Sequence, residues 1–88
     1  MREISYTNRF LKDYRQIKNR GWDIQKLEAF IVALASGQPL PPSARPHRLS
    51  GKYARAWDAH VGPDWILIYE ISDEHLILRR TGTHADLF

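Results

Sequence analysis

The sequence predicts a small α+β domain with a mainly antiparallel sheet and a helical hairpin packed on one face, in the order β-α-α-β-β-β. Three observations predict it. Two runs rich in β-branched and aromatic residues, Tyr53 to Val61 and Trp65 to Tyr69, flank a Gly62-Pro63-Asp64 turn, the signal for an antiparallel hairpin. Two earlier stretches carry apolar residues at helical spacing, each with a cap residue before it and a glycine after it. A further alternating run, His75 to Arg80, follows a Ser72-Asp73-Glu74 turn.

Taken in order, Arg2 to Tyr6 alternates with Ile4 and Tyr6 expected inward, and reads as a first strand. Thr7 or Asn8 caps a helix whose Phe10, Leu11, Tyr14 and Ile17 form one apolar stripe, and Gly21 is placed to end it. Asp23 caps a second helix with Ile24, Leu27, Ile31 and Leu34 at helical spacing, ended by Gly37. Pro39, Pro41, Pro42 and Pro46 then forbid regular helix and stiffen an extended loop. In the hairpin, Trp65, Leu67 and Tyr69 share one face of a central strand and Ile66 and Ile68 the other; both faces are apolar, so at least one lies under helices. Across the turn, Ala56, Asp58 and His60 share a face, an acid and an imidazole beside small alanines. The terminal Leu87-Phe88 is expected to dock the tail.

At 88 residues the chain holds one domain, spanning 1–88. It has no cysteine, which excludes a disulfide framework and thiolate metal sites and suits a reducing compartment. No apolar run approaches the roughly 20 residues of a membrane helix, and the expectation is a soluble cytoplasmic protein. The net charge of +3 is unevenly spread. Arg45, Arg48, Lys52 and Arg55 fall in one loop with no acid among them, leading straight to His60, where positive charge would meet an incoming phosphate.

Four histidines invite a metal reading, but no pair has the spacing of a helical ligand motif, so neither metal nor cofactor is expected. His60 and Asp64 flank a tight turn and are expected close together; imidazole beside carboxylate either tunes a general acid or base near neutral pH or merely closes the hairpin. Imidazoles among guanidinium groups, without a metal requirement, are the equipment of a metal-independent ribonuclease. Serine hydrolysis fits less well, because no nucleophile-elbow motif is present.

The runs His47-Arg48-Leu49-Ser50-Gly51, Asp58-Ala59-His60-Val61-Gly62-Pro63-Asp64-Trp65-Ile66-Leu67-Ile68-Tyr69 and Arg80-Thr81-Gly82-Thr83-His84-Ala85-Asp86-Leu87-Phe88 together resemble the YafQ branch of the RelE-type toxins of bacterial type II toxin–antitoxin modules. The resemblance implies a RelE-like fold and a toxin that cleaves messenger RNA in the ribosomal A site until a cognate antitoxin silences it, with operator DNA met only through that antitoxin. It places His47, His60, Asp64 and His84 at catalytic positions, and Trp65, Arg80 and Phe88 at positions of RNA placement or transition-state support. More distant relatives on the fold poison DNA gyrase and lack such a histidine set. The alternatives are therefore a gyrase poison or a non-catalytic RNA- or protein-binding module.

Overall fold

The structure is a computed structural model and describes all 88 residues. Five strands form one sheet in the order β1-β5-β4-β3-β2: β1 is Glu3–Tyr6, β2 His47–Arg48, β3 Trp57–Gly62, β4 Trp65–Ile71 and β5 His75–Gly82. β1 runs parallel to β5, and every other pair is antiparallel. Helices α1 (Asn8–Asn19) and α2 (Ile24–Ser36) cover one face, and a four-residue helix α3 (His84–Leu87) follows β5.

The caps act as the sequence implies. Thr7 accepts the Phe10 amide at the start of α1, and Asp23 accepts the Lys26 amide at the start of α2. Gly37 ends α2 in the left-handed conformation (φ 75°), where a side chain is costly. Phe10, Ile17, Leu27, Phe30 and Leu34 pack against Trp65, Leu67, Tyr69, Leu76 and Leu78 to form the main core. The opposite faces of Ile66 and Ile68 form a second, smaller core with Tyr53, Ala56 and Leu87. The central strand is thus covered on both sides, as its two apolar faces require.

Four expectations need correction. Ile4 and Tyr6 are 41% and 56% exposed, because β1 is an edge strand with a neighbour on one side only. The hairpin's first strand begins at Trp57, not Tyr53: Gly51–Tyr53 makes a 3-10 turn that folds the Tyr53 ring back under the sheet. His47–Arg48, expected as loop, adds a short edge strand to β3, with His47 opposite Asp58. The tail is half docked, since Leu87 is buried while Phe88 stays 62% exposed.

Candidate active site

The polar chemistry gathers where β3 ends, β4 begins and β5 passes into α3. The register pairs His60 with Ile66 and Ile66 with Gly82, so that the end of β5 is carried to the His60 end of β3. A bulge between His60 and Gly62 adds a residue to β3 there, a device that re-aims a side chain at the end of a strand. Gly82 is needed by close approach: a Cβ there would lie 2.9 Å from Asp86 Oδ2. Thr83 then caps α3, its hydroxyl accepting the Asp86 amide while the Asp86 carboxylate accepts the Thr83 amide. Arg20, at the end of α1, clamps the same carboxylate at 2.9 Å. The Arg20 hydrogen bond, helped by the Thr83 amide, holds the Asp86 carboxyl down at about 2.

This scaffolding fixes His84. Asp64 accepts two hydrogen bonds from that one residue, from the backbone amide at 3.0 Å and from Nδ1 at 2.7 Å. The amide is one of the donors a helix start leaves without an internal partner, so one carboxylate both caps α3 and orients its imidazole. Those two bonds, the backbone one first, hold the Asp64 carboxyl below its ordinary value. With Asp64 ionised, Nδ1 carries the proton and Nε2 is the nitrogen left for chemistry. His60 does not pair with Asp64, contrary to the expectation from their nearness in sequence. Its Nδ1 faces the Ala44 carbonyl at 3.4 Å, which makes Nε2 the free nitrogen there too. The two rings lie 5.7 Å apart between centroids, tilted by 41°.

His47 joins the same face from β2. Its Nδ1 stands 3.6 Å from Asp58 Oδ1, a buried oxygen with no hydrogen bond. The ring is largely exposed. Phe88 stands beside this group, 6.4 Å from the His84 ring and edge-on to Tyr53 at 5.7 Å, leaving aromatic surface open to solvent.

Other expected site residues are placed differently. Trp65 is 7% exposed; its indole N–H donates to Thr81 Oγ1 at 2.9 Å and its ring meets Trp22 edge-on at 5.1 Å. Direct RNA contact by Trp65 does not fit that burial; it holds the start of β4 beside Asp64. The basic loop divides. Arg45 lines a cleft with His60. Lys52 lies over the Tyr53 ring and shares a cleft with Arg9, Arg79 and Arg80. Arg48 sits over Trp57 and lines a hollow with Arg55, Ile71 and His75, at the Ile71 end of β4. That end is roughly 20 Å from Trp65 at about 3.3 Å per residue, so the hollow that Arg48 and Arg55 line lies apart from the His60–His84 pair.

Arg80 is buried and paired. Its Nε and Nη2 donate to Asp13 of α1 at 2.7 and 3.1 Å, and Asp13 also accepts the Thr81 amide at 3.2 Å. Asp13, together with the Tyr53 hydroxyl, holds the Arg80 guanidinium above its usual range. Nη1 donates to that hydroxyl at 3.3 Å, which donates in turn to the Leu87 carbonyl of α3 at 3.2 Å. A polar relay therefore runs from Asp13 through Arg80 and Tyr53 to the helix that carries His84. Sequence reasoning missed Asp13 and Tyr53, and named Asp58 only as sharing a strand face with His60. Asp13 left a signal, an acid three residues after Phe10 and four before Ile17 on the buried stripe.

A family model described as a bacterial toxin of the type II toxin–antitoxin system, YafQ, matches residues 2–88. The chain belongs to the YafQ toxin family. It is 42% identical over 88 residues to the mRNA interferase toxin YafQ of Escherichia coli K12, covering 99% of this chain and 96% of that protein. The fold superposes on the crystal structure of YafQ from E. coli BL21(DE3) with a TM-score of 0.92, at 40% identity and covering 100% and 99% of the two chains. It also matches the crystal structure of the E. coli DinJ–YafQ toxin–antitoxin complex with a TM-score of 0.90, at 42% identity and 99% and 97% coverage. The RelE-like α+β architecture expected from sequence is the one found.

Proposed function

We propose that this YafQ-family toxin is an endoribonuclease that cleaves messenger RNA on the ribosome by metal-independent acid–base chemistry. The observation that carries it is the His84–Asp64 pair at 2.7 Å with the His60 ring 5.7 Å away, all at an accessible surface. His60 takes the proton of a ribose 2′-OH, the oxygen attacks the adjacent phosphorus, and the bond from phosphorus to the 5′-oxygen breaks. His84 gives its Nε2 proton to that leaving oxygen. The products are a 2′,3′-cyclic phosphate and a 5′-hydroxyl, so atoms and protons balance. Phe88 offers a face for a base to stack on, and Lys52 supplies charge for the crowded phosphate.

The partner that silences the toxin is a cognate antitoxin, in keeping with the DinJ–YafQ relative. An acidic antitoxin segment laid along the β2 edge and the Arg45–Lys52 surface would occupy the ground RNA needs.

Purified toxin added to in vitro translation should release fragments with 5′-hydroxyl and cyclic phosphate ends. His84→Ala and Asp64→Asn should melt close to wild type yet cleave about 10²–10⁴ times more slowly. Intact messages with inhibited DNA supercoiling, or fragments carrying 5′-phosphate ends, would overturn the reading.

A further inference from the structure

On the α2 side of His60 lies a cleft of about 380 Å³, lined by Lys26, Ser43, Arg45, His60, Gly62 and Pro63. The cleft has the volume of a small-ligand site, and no carboxylate lines it. Lys26 and Arg45, like most cations of the chain, form no ion pair. Three further observations point to what the cleft takes. Arg45 holds a left-handed backbone (φ 41°, ψ 64°), a conformation costly for a side-chain-bearing residue and one that persists at ligand clamps. Its neighbour Ala44 is fully buried and offers its carbonyl to His60 Nδ1, so the strained turn and the imidazole are held together. Lys26 reaches across from α2 to the β3–β4 turn, with Nζ 3.9 Å from the place a Cβ would occupy on Gly62.

We infer that this cleft grips the phosphodiester next to the scissile one, through Lys26 and Arg45; the inference rests on the nuclease reading above. The ligand is backbone rather than base, because apart from His60 no aromatic ring lines the cleft and there is nothing on which a nucleobase would stack. Lys26 therefore contributes affinity without choosing the codon.

The test uses the full chain in reconstituted translation, with messages carrying a neutral methylphosphonate at one position at a time around the cut. Lys26→Ala should raise KM about tenfold with kcat little changed and lower the salt slope by about 1, while Lys26→Arg stays near wild type. One flanking methylphosphonate should slow the wild type but cost Lys26→Ala nothing more. Arg45→Gly should weaken binding in the same way yet melt higher, because glycine adopts that backbone without strain. A wild-type KM in Lys26→Ala, or equal methylphosphonate penalties in both proteins, would overturn the inference. Should the wild type cleave nothing, the nuclease reading falls, and NMR titration with a 2′-deoxy adenosine trinucleotide decides the cleft by itself. Saturable shifts at Ser43 and Arg45 that vanish in Lys26→Ala uphold it, and their absence overturns it.

Discussion

Asp13→Ala should be the most destabilising single change in the polar part of this molecule. The Asp13 and Arg80 side chains are 6% and 11% exposed, and the carboxylate accepts three hydrogen bonds. Removing it leaves a guanidinium buried without its counter-charge and a strand amide without its acceptor. Breaking a buried pair from one side costs about 3–5 kcal/mol, against a total of roughly 4–13 kcal/mol for 88 residues at 0.05–0.15 kcal/mol each. At a urea slope near 1 kcal/mol per M, suited to so small a chain, the unfolding midpoint should fall by about 3 M or more. The double variant Asp13→Leu with Arg80→Met removes both charges, and should recover all but about 1 kcal/mol, the share of the Thr81 amide left unpaired. Urea unfolding followed by fluorescence of Trp22, Trp57 and Trp65 measures all three proteins. A cost below about 1 kcal/mol for Asp13→Ala, or a double variant no better than the single, would refute the reasoning that the pair is buried and mutually dependent.

Tyr53→Phe keeps the ring against Phe88 but cuts the relay, and should cost about 1–3 kcal/mol of stability and slow cleavage roughly 10–100-fold through misplacement of His84. In a His84→Gln background the same change should slow the residual reaction hardly at all; equal losses in both backgrounds would make Tyr53 merely structural. The folded Asp86 carboxyl, at about 2, lies below its unfolded value near 3.8, so its contribution to stability is complete above that value and is lost as pH falls through about 2. Melting curves of wild type and Asp86→Asn should therefore stand apart at pH about 5 and converge toward pH about 2; a gap that persists in acid would sever the link to Arg20.

Much of this was legible because periodicity survives folding. The caps at Thr7, Asp23 and Gly37 and the two faces of Trp65–Tyr69 follow from spacing alone. The pairings inside the site did not. Asp64 and His84 are 20 residues apart and meet only because β4 and β5 align Ile66 with Gly82, a register that no local pattern encodes. His60 and Asp64 are close in sequence yet look different ways, because the bulge after His60 and the strained turn at Arg45 bring a backbone carbonyl to the imidazole first. Four loop cations looked alike as charge; the short strand His47–Arg48 and the turn at Gly51–Tyr53 send them to different ends of the sheet.

The parallel pairing of β1 with β5 has a consequence for how the protein comes into being. As the chain is synthesised, its first strand has no neighbour until residues 75–78 exist, and His84 lies further along still. Helices α1 and α2 are local and form early, whereas sheet closure joins segments about 72 positions apart, the kind of non-local contact that forms slowly. A nascent chain stopped before β5 would carry Asp13 without Arg80, and Asp64 without its imidazole. Interrupted or truncated products should consequently lack activity. Potency arrives only on completion, which leaves the interval of synthesis for an antitoxin to be waiting.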